Sequence, residues 1–157
     1  MAENDVEISN FSDGIDLMNE IMDRFVDCFN QIGLGDDEEN ETRFCVLLAE
    51  FTRVLKKMLD LYSKSERSIQ LEFKPHILYY RQIQGYLVFL IRFPEILKVR
   101  DHDEIRQTRE FLENRDEMIK TKYSEIAEEQ TRVFDGDFKN KLEEKLKLRA
   151  KTYRIDN

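Results

Sequence analysis

The stretch PHILYYRQIQGYLVFLIRF, Pro75 to Phe93, decides the fold. Tyr86 to Ile91 are consecutive apolar or aromatic residues, and at about 100° per residue such a run covers every face of a helix. A helix of that kind is expected to be surrounded, as the buried central post of a bundle. The run YLVFLI taken alone also fits a strand. Ile77, Tyr80, Ile83 and Leu87, however, recur at helical spacing, with no turn residue between them. Pro75 suits the first turn of a helix, where its missing N–H costs nothing, and Pro94 bars Phe93 from helical geometry. The central helix is therefore expected between the two prolines, with Gly85 as its point of close approach to a neighbour. A membrane span needs ~20 apolar residues, and Arg92 ends this run too soon for one.

Upstream lie two amphipathic helices. Ser12 is the expected N-cap of the first, whose apolar positions Ile15, Met18, Met22, Phe25, Val26, Phe29 and Ile32 keep an i, i+3/i+4 rhythm. Gly33 is expected to end it in a left-handed residue, with Leu34 packing back on Phe29. The acidic run Asp36 to Glu41 fits no calcium loop and reads as helix-dipole partners, with Asp36 and Glu39 as a capping box for the second helix. In that helix Phe44, Leu47, Leu48, Phe51, Val54, Leu55, Met58, Leu59 and Tyr62 form a broad core stripe. Ser63 to Ser68 reads as a solvated connection, and the alternation of Ile69, Leu71 and Phe73 as a short extended lid. Residues 1–11 are expected to be flexible, with Val6, Ile8 and Phe11 able to pin an extended piece to the bundle.

Downstream the pattern changes. Ile105, Leu112, Ile119, Ile126 and Val133 fall seven apart, joined by Phe111, Met118, Tyr123 and Ala127, on a segment otherwise dense in charge. So narrow a stripe is closer to a coiled-coil seam than to a core face. One helix from about Asp103 to Phe134 would span about 45 Å and overhang the bundle. Ile105, Phe111, Leu112, Met118, Ile119, Ile126 and Val133 are thus the expected partner interface, unless the last helix folds back over them. That last helix, after Asp135-Gly136-Asp137, sets Phe138, Leu142, Leu146 and Tyr153 among basic residues. Lys139, Lys141, Lys145, Lys147, Arg149, Lys151 and Arg154 are the candidate anion contacts.

Composition agrees with helices. Gly 5, Pro 2, no Trp and 37% charged residues in 157 fit an all-α domain far better than a sandwich or barrel. The expected organisation is a flexible N-terminus (1–11), a helical bundle (12–134) and a basic C-terminal helix and tail (135–157). The net charge of −8 is uneven: residues 1–41 hold thirteen acids against Arg24 alone, and 138–157 hold seven bases against three acids. Such an asymmetry can order neighbours head to tail or aim the basic end at an anion.

Catalytic chemistry is hard to find. There is no glycine-rich phosphate loop, GxSxG, HExxH or paired Cys/His set, and no ExxH of the helical di-iron type. Asp101-His102-Asp103-Glu104 invites a metal, but adjacent loop residues diverge, and Asp101 with Glu104 makes sense as a helix cap. His76 has no nucleophile or acid at motif spacing and reads as a surface or boundary residue. Cys28 and Cys45 lie on apolar faces without CxxC spacing and read as reduced core thiols. The N-terminal ten residues lack the basic and apolar regions of a signal peptide, so a cytoplasmic or nuclear protein is expected.

The two amphipathic helices, Leu71-Glu72-Phe73-Lys74, the central helix with Leu78, Arg81 and Tyr86-Leu87, then Ile96-Leu97, an acidic break and Arg109-Glu110-Phe111 together resemble the α-helical domain of the GINS replication-complex subunits. The resemblance spans roughly Ile15 to Ile126. It departs from the family in an apolar rather than arginine-rich central helix and in showing no strand pattern for the small β-domain. It implies a non-enzymatic subunit of a nuclear heterotetramer that supports the replicative helicase, and it transfers no functional residue. The expected function is a helical interaction or scaffold subunit, without cofactor or metal, that binds other protein subunits as a hetero- or homo-oligomer. The alternatives are a nucleic-acid-binding protein using the basic helix, and a self-associating adaptor unrelated to replication.

Overall fold

The computed structural model describes residues 8–134 and 137–155, with the side chains of 132–138 and 151–157 outside the description. Among the described residues the chain is all helix: α1 (Phe11–Asn30), α2 (Asp37–Lys64), α3 (Arg67–Arg92), a 3-10 turn (Ile96–Lys98), α4 (Asp103–Glu113), α5 (Arg115–Phe134) and α6 (Asp137–Ile155). It divides into two compact units, Met1–Lys122 and Tyr123–Asn157.

The first unit is a four-helix bundle. α1 packs on α2, α2 on α3, and α4 closes the ring against α1 and α3, while the 3-10 turn touches α2, α3 and α4. Short connections make sequential helices antiparallel neighbours. Phe25, Phe29, Phe44, Phe51, Tyr79, Tyr80, Met18, Met22, Met58 and Ile83 are fully buried. Phe25 meets Phe44 edge to face at 5.2 Å, and Phe51 meets Tyr80 at 6.4 Å. Gly14 is the true point of close approach: a Cβ there would stand 2.9 Å from Met58 Cγ. At Gly85, expected in that role, a Cβ would meet nothing.

Several boundaries differ from expectation. The N-cap of α1 is Asn10, whose side chain accepts from the Asp13 N–H at 2.9 Å, and not Ser12. Phe11 is no part of an extended piece. It opens the helix and stacks on Phe73 with ring centroids 4.4 Å apart. Gly33 does adopt φ 78°, but Leu34 stays exposed rather than packing on Phe29. Asp36 caps α2 by accepting from the Glu38 and Glu39 N–H groups, while Glu39 reaches Arg43 instead of closing the box.

The largest correction is to the central helix. α3 begins at Arg67, so Ser68 to Phe73 are helical and Pro75 lies inside the helix rather than at its start. Pro75 leaves the Leu71 carbonyl without its i+4 donor. Burial of Phe73 against Phe11, and the 2.7 Å bond from Gln70 Nε2 to the Tyr62 carbonyl, hold the upstream turns in place. Nor is α3 surrounded: Leu78 and Phe89 are 37% and 41% exposed, and Phe93, its C-cap, is 46% exposed.

The expected long fourth helix is two helices meeting at Asn114, whose ψ of 26° leaves the α region. Its N-cap is His102, with Nδ1 accepting from the Glu104 N–H at 3.2 Å, rather than Asp101.

Candidate functional surfaces

The heptad seam does not stay one surface. Ile105 and Leu112, expected to meet a partner, are fully buried in the chain's own core. Phe111 is half-buried, with its ring 5.1 Å from that of Tyr86. Met118 and Ile119 pack partly on the same core. Period-seven spacing is thus first used to close the bundle, because α4 must bury one narrow stripe between α1 and α3. In the second unit, Ile126 is half-buried and Tyr123 is 59% exposed. The side chain of Val133 lies outside the described residues.

On α6 every described side chain from 139 to 150 is exposed. Leu142 and Leu146, four residues apart on one face, are 49% and 58% exposed. Lys139, Lys141, Lys145, Lys147 and Arg149 are exposed too, but their spacing distributes them around the helix axis instead of along one side. A phosphate track needs one basic face, so this arrangement favours the leucines as the directional feature. Lys151 and Arg154 have side chains outside the described residues.

Among the hollows in the bundle, two have charged linings. One of about 410 Å³ is lined by Asp23, Val26, Asp27, Glu113, Arg115 and Asp116. Arg115 there reaches Asp23 at 2.9 Å and the Leu112 carbonyl at 3.4 Å, tying α1 to the start of α5. The other, of about 120 Å³, lies between Gln31 and Arg43 at the α1–α2 turn. No group of three His, Cys, Asp or Glu among the described residues has an arrangement that could hold a metal ion. His102 is spent on its cap, and Asp103 pairs with Arg106.

Burial is the leading cause of each shifted pKa. Cys28 is buried, its thiol donating to Asn40 Oδ1 at 3.1 Å, and burial pushes it up to about 11 against the opposing pull of Arg43. Cys45, expected in the core, is exposed, and both thiols are free. Burial holds His76 below its ordinary value, with Asp116 and Glu72 pulling the other way. His76 is half-buried, the boundary position that was one of its two expected readings, within the Phe73–His76–Tyr80 ring series. Its Nδ1 and the Tyr80 hydroxyl are buried without a protein hydrogen-bond partner. Burial raises both Tyr79 and Tyr80.

Apolar spacing did not mark the outer face of α3. The signal available was Arg67, Lys74 and Arg81 at seven-residue intervals, which the reading of Ser63 to Phe73 as non-helical hid. Among the described residues no helix is long and apolar enough to cross a membrane. Compared with protein-family models, with curated proteins and with solved structures, the chain finds no match.

Proposed function

We propose that this protein is a non-enzymatic interaction subunit that joins other proteins through the exposed apolar positions of α5 and α6. One observation carries the reading: Leu142 and Leu146 stand on one face of α6 and are about half exposed, on a helix whose described side chains are exposed throughout. A lone helix of this length is marginal in water, and helices persist mainly by burying an apolar face. A partner helix over Leu142 and Leu146 supplies that burial. The segments resembling GINS subunits make a nuclear replication complex the first assembly to test.

The experiment is capture of the tagged full chain from its own cells, beside a Leu142→Glu/Leu146→Glu variant. Stoichiometric recovery of fixed partners with the wild type, lost in the variant at unchanged bundle stability, is the expected result. Replication-helicase components among them would support the GINS assignment. A monomer that recovers nothing overturns the proposal. Salt-sensitive recovery of nucleic acid, lost on reversing Lys145 and Lys147, would replace it with the nucleic-acid reading.

A further inference from the structure

The side of α3 turned away from the core combines unpaired cations with exposed apolar groups. Arg67, Lys74 and Arg81 follow one another at seven-residue intervals, and Arg92 closes the row. With 3.6 residues per turn these four fall within an arc of about 40°, and Leu78 and Phe89 lie beside them. The ion pairs of the described residues involve none of the four. Leu78 and Phe89 are 37% and 41% exposed.

The bundle itself gives little reason for this arrangement. Arg92 suits the negative end of the helix, but Arg67 is the first residue of α3, where the dipole disfavours a cation. Gly85 sits between Leu78 and Phe89 on the same side and is exposed, with open space where a Cβ would be. Glycine inside a helix costs about 1 kcal/mol against alanine. No neighbour among the described residues requires it. It leaves bare backbone where another element can approach closely.

We propose that this face of α3 docks an acidic amphipathic helix of a partner protein. Carboxylates at seven-residue intervals on that helix repeat at the same ~10.5 Å rise as Arg67, Lys74 and Arg81. Its apolar side chains cover Leu78 and Phe89, and its backbone crosses at Gly85. Nucleic acid answers the cations but gains nothing from the two apolar side chains. A second copy of the chain offers Asp13, Glu20 and Asp27 at the same interval on α1, yet α1 has no exposed large apolar side chain to set against Phe89. An acidic helix with its own apolar stripe satisfies both features. The inference stands apart from the reading of α5 and α6.

The test is a fluorescence-anisotropy titration of the full chain with a labelled three-heptad helical peptide, glutamate at every seventh position beside a leucine stripe. A peptide with lysine for glutamate is the control. The acidic peptide is expected to bind, to weaken as salt rises from about 0.05 to about 0.5 M, and to lose at least about tenfold in affinity with Lys74→Glu/Arg81→Glu. Gly85→Glu, at an open helical position, is expected to abolish binding while circular dichroism and Tm show the bundle intact. Neither variant is expected to alter capture through Leu142 and Leu146. Failure of the acidic peptide to bind overturns the proposal, as does equal binding by the variants. Tighter binding of a DNA duplex with the same sensitivity overturns it in favour of nucleic acid. Self-association by light scattering that Gly85→Glu removes overturns it in favour of a second copy.

Discussion

The Tyr79 hydroxyl donates a 2.6 Å hydrogen bond to the carbonyl oxygen of Phe111, across from α3 to the last turn of α4. The α4 ladder ends at Asn114, whose N–H bonds to Glu110 O, so carbonyls in that turn need other donors. Tyr79 supplies one and Arg115 another, at Leu112 O. Tyr79→Phe leaves the Phe111 carbonyl short of a donor and is expected to cost about 1–3 kcal/mol in urea unfolding. Tyr86→Phe removes only a hydroxyl that accepts from the Gln82 side chain, and should cost less than about 1 kcal/mol. Equal losses from the two variants would show that the bond to Phe111 has no special weight.

Acid should destabilise the bundle through His76. In the unfolded chain this imidazole takes up a proton near its ordinary value of 6.5, whereas burial in the fold holds it neutral to lower pH. Between the two values the unfolded state binds more protons, so stability is full above 6.5 and is lost as pH falls through the folded value. Urea midpoints measured at about pH 7.5 and about pH 5.5 should separate more for the wild type than for His76→Gln. A separation that His76→Gln leaves unchanged would assign the acid sensitivity to other groups.

The two cysteines should behave as different chemical species. Cys45 is exposed and open to an alkylating reagent, although partial burial and Glu41 raise its pKa. Cys28 is buried, bonded to Asn40 and pushed up to about 11. Mass spectrometry after a brief maleimide pulse should find the label on Cys45 alone, with Cys28 reacting at the rate of opening of the bundle. Equal labelling of both would contradict the packing of α1 against α2.

Alanine at two glycines should act in opposite directions. At Gly85 it meets open space and gains helix propensity, so Tm should rise, by the equivalent of about 0.5–1 kcal/mol. At Gly14 the same gain is set against a Cβ 2.9 Å from Met58 Cγ, in a side chain that is fully buried. Overpacking of this kind costs about 1–3 kcal/mol, so a net loss of stability is expected in thermal melts. A stabilising Gly14→Ala would mean that Met58 moves aside at no cost.

The local apolar spacing of α1 and α2, from Met18 to Phe29 and from Phe44 to Met58, was enough to determine an all-helical chain and most of its core. Side-chain periodicity is a property of the backbone's own repeat, which is why it can be read without a partner element. Tertiary structure decided what spacing leaves open. Pro75 looked like a helix start because its local cost is lowest there, yet packing of Phe73 on Phe11 extends α3 eight residues upstream of it. The YLVFLI run looked buried on every side, yet within the bundle α3 packs on α2, α4 and the 3-10 turn along one side, and Phe89 is 41% exposed. The seven-residue stripe looked like one seam, but burial of Ile105 and Leu112 between α1 and α3 belongs to the bundle, while Tyr123 and the leucines of α6 are exposed. Which apolar face is core and which is surface depends on what the rest of the chain can reach.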